Sequence, residues 1–484
     1  MNETRLLIGG KDTPAKGGAT FERRSPITGE VVTRAAAATV DDVRAACDAA
    51  ATAFPEWSAQ GPNARRKKLM DAAAILRGKS GDFSRLCVEE TGAIAGWGHF
   101  NTGFAATLLE EAAAMTTQVT GETVPSDIPG TFAMAVRQPA GVCVGMAPWN
   151  APVILGTRSI AMALACGNTT VMKASELSPA THRLIVDAFV EAGLPAGAVN
   201  FITHSAADAP AVVEALIAHP AVKRVNFTGS SRVGRIVGEL SGKHLKPCLL
   251  ELGGKAPLVV LEDADLEEAV AAAAFGAFMH QGQICMSTER IIVVEKIADE
   301  FTKRFIDKVK SLQVGDPTKG NFPIGACVDS RTVDHVKELM ADATAQGATI
   351  LTGGKGSGGA FFEPTVVGGV KKGMRIYGEE SFGPIVGILR ARDVDHAVEL
   401  ANDCEYGLSA AVFSRDINTA LAVAQRIDSG ICHINSPTVQ DEAQMPFGGT
   451  KASGLGRFGG RAGVAEFTDL RWISISTQHR HYPI

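Results

Sequence analysis

The sequence predicts an α/β protein with two lobes, each built around a parallel β-sheet, and a small β arm that belongs to neither lobe. Short β-type runs alternate with helical stretches after residue 141, and a second series of the same kind begins after residue 251. Such alternation is typical of parallel sheets covered by helices. Two further segments, at 120–137 and 467–476, alternate like strands but fit neither series, and they predict the arm.

The first lobe has a nucleotide-binding type of architecture. Its β-type runs cover residues 142–146, 169–172, 199–203, 224–227 and 248–251. One helix between them is clearly delimited, because Ser178 can cap its start and Gly193 ends it. The region before Val119 is predicted to be helical, with a capping box formed by Thr39 and Asp42.

The second lobe follows residue 251 and is predicted from the same alternation. Its β-type runs cover residues 258–261, 291–294, 385–389 and 431–434. The two arm segments lie outside both series, and strands of this kind need a partner because unpaired edges associate. The arm therefore predicts an oligomer, a homodimer or a homotetramer.

Composition excludes several classes of protein. The 484 residues exceed what one hydrophobic core usually holds, and 47 basic against 52 acidic residues leave a net charge of −5. Neither a nucleic acid nor a membrane is predicted as a partner. The first residues lack a signal-peptide core, which predicts a cytoplasmic protein. Nine cysteines without a CxxC pair predict neither a metal site nor a disulfide framework.

Three short features are candidates for chemistry where the lobes meet. The turn at Gly229 and Ser230 follows a β-type run and opens a helix, where backbone N–H groups can hold a pyrophosphate. Glu251 and Cys285 stand at the ends of elements as a candidate base and nucleophile. Taken singly, each feature has a simpler explanation: a plain glycine-rich turn, a solvated carboxylate, or a buried and inert thiol.

Five motifs, in one order along the chain, decide between these explanations because together they resemble the aldehyde dehydrogenase superfamily. The motifs are Pro148-Trp149-Asn150, Glu251-Leu252-Gly253-Gly254-Lys255, Gly282-Gln283-Ile284-Cys285, Glu379-Glu380-Ser381-Phe382-Gly383-Pro384 and Pro446-Phe447-Gly448-Gly449. The resemblance covers nearly the whole chain. It implies two Rossmann-like parallel-sheet lobes and a small β arm for oligomerisation.

The same resemblance implies a division into domains. The implied parts are an NAD-binding domain at 1–118 and 140–250, a catalytic domain at 251–449, a return segment to the NAD-binding domain at 450–466, and an oligomerisation arm at 119–139 and 467–484.

The resemblance also implies the catalytic residues. Cys285 matches the family's nucleophile, Glu251 its general base, and Asn150 the side-chain donor of its oxyanion hole. Attack on an aldehyde carbonyl requires a thiolate, and the oxyanion that forms requires hydrogen-bond donors. Hydrolysis of the resulting thioester requires a base, and a partly desolvated Glu251 with a raised pKa suits this task.

NAD is the implied cofactor, and no metal is required. The residues implied to bind NAD are Trp149, Lys173, Glu176, Gly229, Ser230, Glu380 and Phe382. Among them, Glu176 favours NAD over NADP, since a carboxylate can accept hydrogen bonds from ribose hydroxyls but repels a 2′-phosphate.

The implied substrate is a small aromatic aldehyde. The segment Cys432-His433-Ile434-Asn435-Ser436-Pro437-Thr438-Val439, followed by Asp441, resembles the family branch that oxidises salicylaldehyde, vanillin and benzaldehyde. This resemblance favours oxidation of salicylaldehyde to salicylate in the bacterial catabolism of aromatic compounds. The alternatives are an aliphatic semialdehyde as substrate and, in another class, a thiol esterase or hydrolase.

Two residues are predicted to bind the substrate, Arg158 and Ile284. Arg158 stands where many family members carry a bulky aromatic residue, and the spacing of four from Ile154 directs it towards the same side as Asn150. In one interpretation its guanidinium binds a ring hydroxyl of the substrate. In the other it pairs with a carboxylate at a lobe or subunit boundary, because buried charges need partners.

Overall fold

The chain folds around three principal β-sheets, and the computed structural model describes residues 1–484. The helices are α1 (Val40–Ser58), α2 (Pro62–Gly78), α3 (Ser80–Thr91), α4 (Ala95–Met115), α5 (Pro152–Ala165), α6 (Pro179–Glu191), α7 (Ala209–Ala218), α8 (Ser231–Lys243), α9 (Leu266–Phe278), α10 (Glu295–Lys310), α11 (Ser330–Ala345), α12 (Arg375–Gly378), α13 (Val394–Asn402), α14 (Ile417–Ala424) and α15 (Gly460–Glu466). Short 3₁₀ segments lie at Ala206–Asp208 and Met279–Gly282.

The strands are β1 (Asn2–Thr4), β2 (Leu6–Ile8), β3 (Lys11–Thr13), β4 (Thr20–Arg24), β5 (Val31–Ala36), β6 (Glu122–Val124), β7 (Thr131–Pro139), β8 (Val142–Met146), β9 (Thr169–Lys173), β10 (Val199–Ile202), β11 (Val222–Thr228), β12 (Cys248–Glu251), β13 (Ala256–Val260), β14 (Thr288–Val294), β15 (Thr349–Thr352), β16 (Gly356–Gly358), β17 (Phe361–Phe362), β18 (Thr365–Gly368), β19 (Ile385–Ala391), β20 (Tyr406–Gly407), β21 (Ser409–Phe413), β22 (Ile431–Ile434), β23 (Thr450–Lys451), β24 (Gly454–Leu455) and β25 (Thr468–Ser476).

The first large sheet has eight strands in the order β24-β12-β11-β8-β9-β10-β2-β3. Its five central strands run parallel, and short antiparallel strands complete both edges. Every residue of β8 is buried because helices pack against both faces of the sheet, as expected for parallel sheets. The parallel strands of this sheet all have their carboxyl ends at the same edge. Open α/β proteins bind their ligands at this edge.

The second large sheet has seven strands in the order β15-β18-β19-β14-β13-β21-β22. All of its pairs are parallel except the edge pair of β15 and β18. The strands β13, β14 and β21 are buried along their whole length. The predicted α/β class with two parallel-sheet lobes is confirmed.

A three-stranded antiparallel sheet forms the small β arm, in the order β25-β7-β6. The strands β25 and β7 pair over nine residues, from Thr468 opposite Pro139 to Ser476 opposite Thr131. Strand β25 lies at the edge of this sheet and leaves Trp472 78% exposed. The two segments that fitted neither lobe in the sequence are therefore partners of each other.

The helical prediction for the region before Val119 is correct only in part. Helices α1 to α4 occupy Val40 to Met115, and the Thr39–Asp42 capping box is present. Residues 2–36 instead form the five strands β1 to β5, so the prediction is wrong there. These strands are short, and some are stabilised by distant partners, as where Leu7 of β2 pairs with Phe201 of β10.

Helix α6 begins where the sequence predicts. Ser178 occupies the N-cap position of α6 as predicted, but its side chain makes no capping hydrogen bond. None of the helices combines the length and the apolar character required to cross a lipid bilayer.

Candidate active site

Cys285 lies in a turn between the 3₁₀ segment Met279–Gly282 and β14. It is the one partly exposed residue between Gln281 and Arg290, all the others being buried. The turn needs left-handed backbone at Gly282, where φ is +70° and a Cβ atom would lie 2.3 Å from the carbonyl oxygen of Gly383. Only glycine fits such a position without displacing its neighbour. The tight turn therefore presents the thiol at a surface.

Two cavities meet at this thiol. One has a volume of about 840 Å³ and is bordered mostly by hydrophobic side chains, and the other has a volume of about 720 Å³ and is bordered mostly by polar groups and glycines. Asn150, Leu155 and Cys285 line both cavities. We call the first the aromatic cavity and the second the polar cleft. A molecule in either one can reach the Cys285 sulfur.

Asn150 follows strand β8 and is buried beside the nucleophile. Its side-chain Nδ2 donates a hydrogen bond to the backbone oxygen of Gln283, at 2.9 Å. The indole Nε1 of Trp97 donates to the backbone oxygen of Asn150, also at 2.9 Å. An amide nitrogen carries two hydrogens, so the orientation of the Asn150 side chain is set by one of them while the other remains able to donate.

Glu251 is the last residue of β12 and is only 1% exposed. It lines the polar cleft with Cys285, and neither of its carboxylate oxygens has a hydrogen-bond partner within the protein. Burial raises the pKa of Glu251 to about 8. Burial, followed by the negative charges of Glu251 and Glu380, raises the pKa of the Cys285 thiol well above its usual value. The thiol therefore needs a proton acceptor to become a thiolate.

Five of the seven residues predicted to bind a cofactor line the polar cleft. They are Trp149, Gly229, Ser230, Glu380 and Phe382. Ser230 is the N-cap of α8, so the free N–H groups of the first turn of this helix lie beside the cleft. Of the other two, Lys173 is the last residue of the neighbouring strand β9 and Glu176 follows it, and neither lines the cleft itself. Burial lowers the pKa of Lys173, and the negative charge of Glu176 partly opposes this shift.

These groups fit a dinucleotide. The ring of Trp149 meets the ring of Phe382 edge-on, with centroids 5.7 Å apart, and Glu380 adds a partly buried carboxylate. A Cβ atom on Gly253 would lie 2.6 Å from the Glu380 oxygen, so the absence of a side chain at Gly253 keeps this part of the cleft open. Aromatic faces, a carboxylate for ribose hydroxyls and a helix N-terminus for phosphates are the groups that such a ligand requires. No cluster of three or more metal-ligating side chains is present.

A buried ion pair that the sequence reasoning missed holds the loop containing Glu380 and Phe382. Lys255 Nζ contacts Glu289 Oε2 at 2.6 Å, with the two side chains 0% and 4% exposed. The other Glu289 oxygen accepts the backbone N–H groups of Ser381, at 2.9 Å, and Phe382, at 3.2 Å. Phe382 has a φ of +44°, which is unfavourable for a residue with a side chain. Glu289 therefore stabilises a strained backbone beside the polar cleft.

An aromatic wall lines the aromatic cavity and was also missed. Trp97, Phe100 and Phe104 follow one another on α4, with centroids 5.5 and 6.1 Å apart. Phe275 of α9 lines the cavity as well, and Phe100 and Phe275 are 53% and 45% exposed. A spacing of three and four residues places side chains on one helix face, and this was the available signal in the sequence.

Arg158 and Ile284, the two residues predicted to bind the substrate, both line the aromatic cavity. Arg158 is buried, its Nη2 contacts Asp441 Oδ2 at 2.5 Å, and its guanidinium lies 4.3 Å from the centroid of the Phe447 ring. The structure shows the carboxylate pairing of the second interpretation, with Asp441 of the second lobe, and Arg158 also lines the cavity. Binding of a ring hydroxyl by Arg158 stays a prediction.

Comparison with known proteins agrees with this geometry. The model of the aldehyde dehydrogenase family matches residues 13–473. The chain is 59% identical to a vanillin dehydrogenase of Pseudomonas fluorescens over 484 residues, covering 100% of both chains. It is 47% identical to a salicylaldehyde dehydrogenase of Pseudomonas putida over 482 residues, covering 99% of this chain and 100% of the relative.

Among solved structures, the fold superposes on a salicylaldehyde dehydrogenase from Pseudomonas putida G7 complexed with salicylaldehyde, with a TM-score of 0.98, 46% sequence identity and 100% coverage of both chains. The chain belongs to the aldehyde dehydrogenase family. It is accordingly an oxidoreductase that oxidises aldehydes with a nicotinamide cofactor, and the resemblance seen in the five motifs is confirmed.

Proposed function

We propose that this enzyme oxidises a ring-oxygenated aromatic aldehyde to the carboxylic acid, with NAD as the cofactor, through a thioester on Cys285. The observation that supports the proposal is the position of Cys285, where an aromatic cavity and a polar cleft meet. Salicylaldehyde, favoured by the resemblance, and vanillin are the two candidate substrates. The higher identity to a vanillin dehydrogenase favours vanillin.

In the first half of the reaction, the Cys285 thiol transfers its proton to a base and the thiolate attacks the aldehyde carbonyl carbon. The free N–H of the Asn150 amide and the backbone N–H of Cys285 donate hydrogen bonds to the oxyanion that forms. Both donors are oriented before the reaction, because Asn150 is held by Gln283 and Cys285 by its tight turn. NAD bound in the polar cleft would accept the hydride that leaves this adduct.

In the second half, Glu251 activates the water that hydrolyses the thioester. An unpartnered, buried carboxylate with a pKa of about 8 is a stronger base than an exposed one, and it is free to accept a proton from water. Attack of the water on the thioester carbonyl, with transfer of one water proton to Glu251, releases the carboxylic acid and expels Cys285 as a thiolate. Glu251 then loses its proton to solvent before the next cycle.

The cofactor-binding roles follow from position and charge. We assign the pyrophosphate to the turn at Gly229 and Ser230, and the nicotinamide ribose to Glu380 and Phe382. Lys173 and Glu176 bind the adenosine ribose in this proposal, with Trp149 lining the cleft. Glu176 then favours NAD, because its charge would oppose a 2′-phosphate by about 1 to 4 kcal/mol.

The aromatic cavity supports a ring-shaped substrate over a charged aliphatic semialdehyde. Thirteen of its seventeen lining residues are hydrophobic, and the stacked rings of α4 form one wall. Ile284 contacts the ring, and Arg158 donates a hydrogen bond to an oxygen carried by the ring. A thiol hydrolase is less well supported, since it has no use for the residues of the polar cleft.

The same proposal includes the domain division, the assembly and the cellular location of the enzyme. The chain divides into an NAD-binding domain, a catalytic domain and an oligomerisation arm at the boundaries given above. The exposed Leu470, Trp472 and Ile475 of β25 support assembly of a homodimer or homotetramer through the arm. The enzyme acts in the cytoplasm, in the catabolism of aromatic compounds.

A panel of aldehydes tests the proposal. Purified enzyme with NAD is assayed by NADH absorbance on benzaldehyde, salicylaldehyde, vanillin and an aliphatic semialdehyde, and without NAD on a chromogenic ester. We expect the highest kcat/KM for a ring-oxygenated aldehyde. A higher kcat/KM for the semialdehyde would contradict the substrate class. Ester hydrolysis without NAD as fast as the best NAD-dependent rate would contradict the reaction.

A further inference from the structure

The Arg158–Asp441 pair is unusual because Arg158 is buried, Asp441 is partly buried, and the protein leaves most of their hydrogen-bonding positions without a partner. The two side chains are 5% and 14% exposed, and the contact between them is the only hydrogen bond that either side chain makes within the protein. A guanidinium carries five N–H donors and a carboxylate has about four acceptor positions. Buried polar groups are normally hydrogen-bonded, so most of the capacity of this pair remains available.

The available groups face the aromatic cavity. Arg158 and Asp441 both line it, and the guanidinium carbon of Arg158 lies 4.3 Å from the centroid of the Phe447 ring. Apart from the hydrogen bond to Asp441, the N–H groups of this guanidinium have no partner within the protein. Asp441 lines this cavity and a neighbouring one, and its Oδ1 accepts no hydrogen bond within the protein. The wall of an otherwise apolar cavity therefore carries a donor and an acceptor side by side.

The order of residues along α5 indicates which part of a substrate meets the pair. Asn150, Ile154 and Arg158 all line the aromatic cavity, at intervals of four residues. Asn150 lies just before α5, Ile154 lies in the first turn of this helix, and Arg158 lies one turn beyond Ile154. The helix axis rises by about 9 Å between Pro152, where α5 begins, and Arg158. A ring whose aldehyde carbon reaches Cys285 thus lies along Ile154, with its far side towards Arg158.

We infer that Arg158 and Asp441 together recognise two adjacent oxygens on the far side of the ring, at the positions meta and para to the aldehyde. A hydroxyl donates its hydrogen bond to Asp441 Oδ1, and the neighbouring hydroxyl or ether oxygen accepts one from the Arg158 guanidinium. This inference rests on the proposed function and narrows its substrate to a class, the 3,4-dioxygenated benzaldehydes. The hydroxyl of salicylaldehyde, next to the carbonyl, does not fit this pair.

The alternative is that the pair only joins the two lobes. Arg158 belongs to α5, which packs on the first large sheet, and Asp441 to a segment that follows β22 of the second. A joint between lobes would affect every aldehyde equally. Recognition of ring oxygens would affect only the aldehydes that carry them.

The wild-type enzyme alone provides a first test. We compare kcat/KM for benzaldehyde, salicylaldehyde, 4-hydroxy-3-methoxybenzaldehyde and 3,4-dimethoxybenzaldehyde, the last of which cannot donate to Asp441. We expect the 4-hydroxy-3-methoxy compound to exceed the dimethoxy compound by about tenfold or more, the range of one charge-assisted hydrogen bond. Equal efficiencies for these two compounds would overturn the role of Asp441, and a preference for salicylaldehyde would overturn the position of the recognised oxygens.

Asp441→Asn provides the second test, because asparagine keeps the shape but loses the charge. We expect kcat/KM for 4-hydroxy-3-methoxybenzaldehyde to fall by roughly ten- to a hundredfold, and to fall clearly less for benzaldehyde. Glu442→Gln is the matched control, since Glu442 is the adjacent exposed carboxylate and does not line the aromatic cavity. Equal losses for both aldehydes in Asp441→Asn would identify the pair as a joint. Failure of the proposed function itself would be distinct, since wild-type enzyme would then oxidise none of the four aldehydes.

Discussion

Replacing Glu251 with glutamine separates the two halves of the proposed reaction. Glutamine keeps the shape of the side chain and removes the group that activates water. Because neither carboxylate oxygen is hydrogen-bonded within the protein, the substitution breaks no internal hydrogen bond. We expect a burst of NADH near one equivalent per active site, followed by a steady rate lower by roughly 100-fold or more, as the thioester waits for unactivated water.

The raised pKa of Glu251 also determines how the steady rate depends on pH. Burial raises this pKa to about 8. Since the deprotonated carboxylate is the active base, its fraction is about one tenth at pH 7 and about nine tenths at pH 9. A steady rate limited by hydrolysis therefore rises about tenfold over this interval in the wild-type enzyme. The Glu251→Gln variant has no such rise.

Rapid-mixing measurements of NADH at several pH values, with mass analysis of the acylated Cys285 peptide, follow both halves directly. Glu380→Gln is the comparison variant, because burial also raises the pKa of Glu380 to about 8 in the same cleft. We expect this variant to keep the rise with pH once NAD is saturating. Absence of a burst in Glu251→Gln would show that Glu251 acts before the hydride leaves. Loss of the pH dependence in Glu380→Gln alone would assign the titration to Glu380.

Four further outcomes follow from the site. Cys285→Ala forms no NADH in an otherwise folded protein, and measurable NAD-dependent oxidation would rule out Cys285 as the nucleophile. Asn150→Ala raises the activation free energy of the first turnover by about 3 kcal/mol, the usual effect of losing one oxyanion donor. An unchanged burst rate would remove Asn150 from that role. The wild-type kcat/KM with NAD exceeds that with NADP by roughly tenfold or more, and Glu176→Gln lowers this ratio. Equal kcat/KM values with the two cofactors in the wild type would exclude Glu176 from the adenosine site. Glu289→Ala weakens NAD binding in a fluorescence titration. Glu289→Gln weakens it less, because an amide oxygen can still accept hydrogen bonds from the loop backbone. Unchanged affinity for NAD in both variants would show that the Lys255–Glu289 pair does not support the cleft.

Several strands of both lobes could be predicted from the sequence. The runs 142–146, 248–251 and 431–434 coincide with β8, β12 and β22 to the residue. Strand β8 is predictable because its residues are buried on both faces and form a short continuous apolar run. Strand β12 is buried except at Cys248, whereas β22 is half-buried at every residue. The strands at the N-terminus are not predictable, since pieces of three residues such as Leu6–Ile8 show no period, and distant pairing decides their structure.

The site was predictable where a residue stands inside a contiguous motif. Asn150, Glu251 and Cys285 were each predicted in this way, and the structure brings all three to the polar cleft. The pair of Lys255 and Glu289 was not found, because the backbone that it holds lies about a hundred residues further along the chain. No local pattern in the sequence records a contact of that kind.

The pairing of β24 with β12 has a consequence for the order in which the enzyme is synthesised. Glu251 lies opposite Gly454, and the N–H of Leu252 donates to the carbonyl oxygen of Ser453 at 2.9 Å. The strand that carries the base thus gains its edge neighbour only when the ribosome has made the last tenth of the polypeptide. A nascent chain already contains the nucleophile, but its base lacks this support until the terminal segment emerges. Premature release from the ribosome therefore yields a product with a thiol and an incompletely supported hydrolytic site.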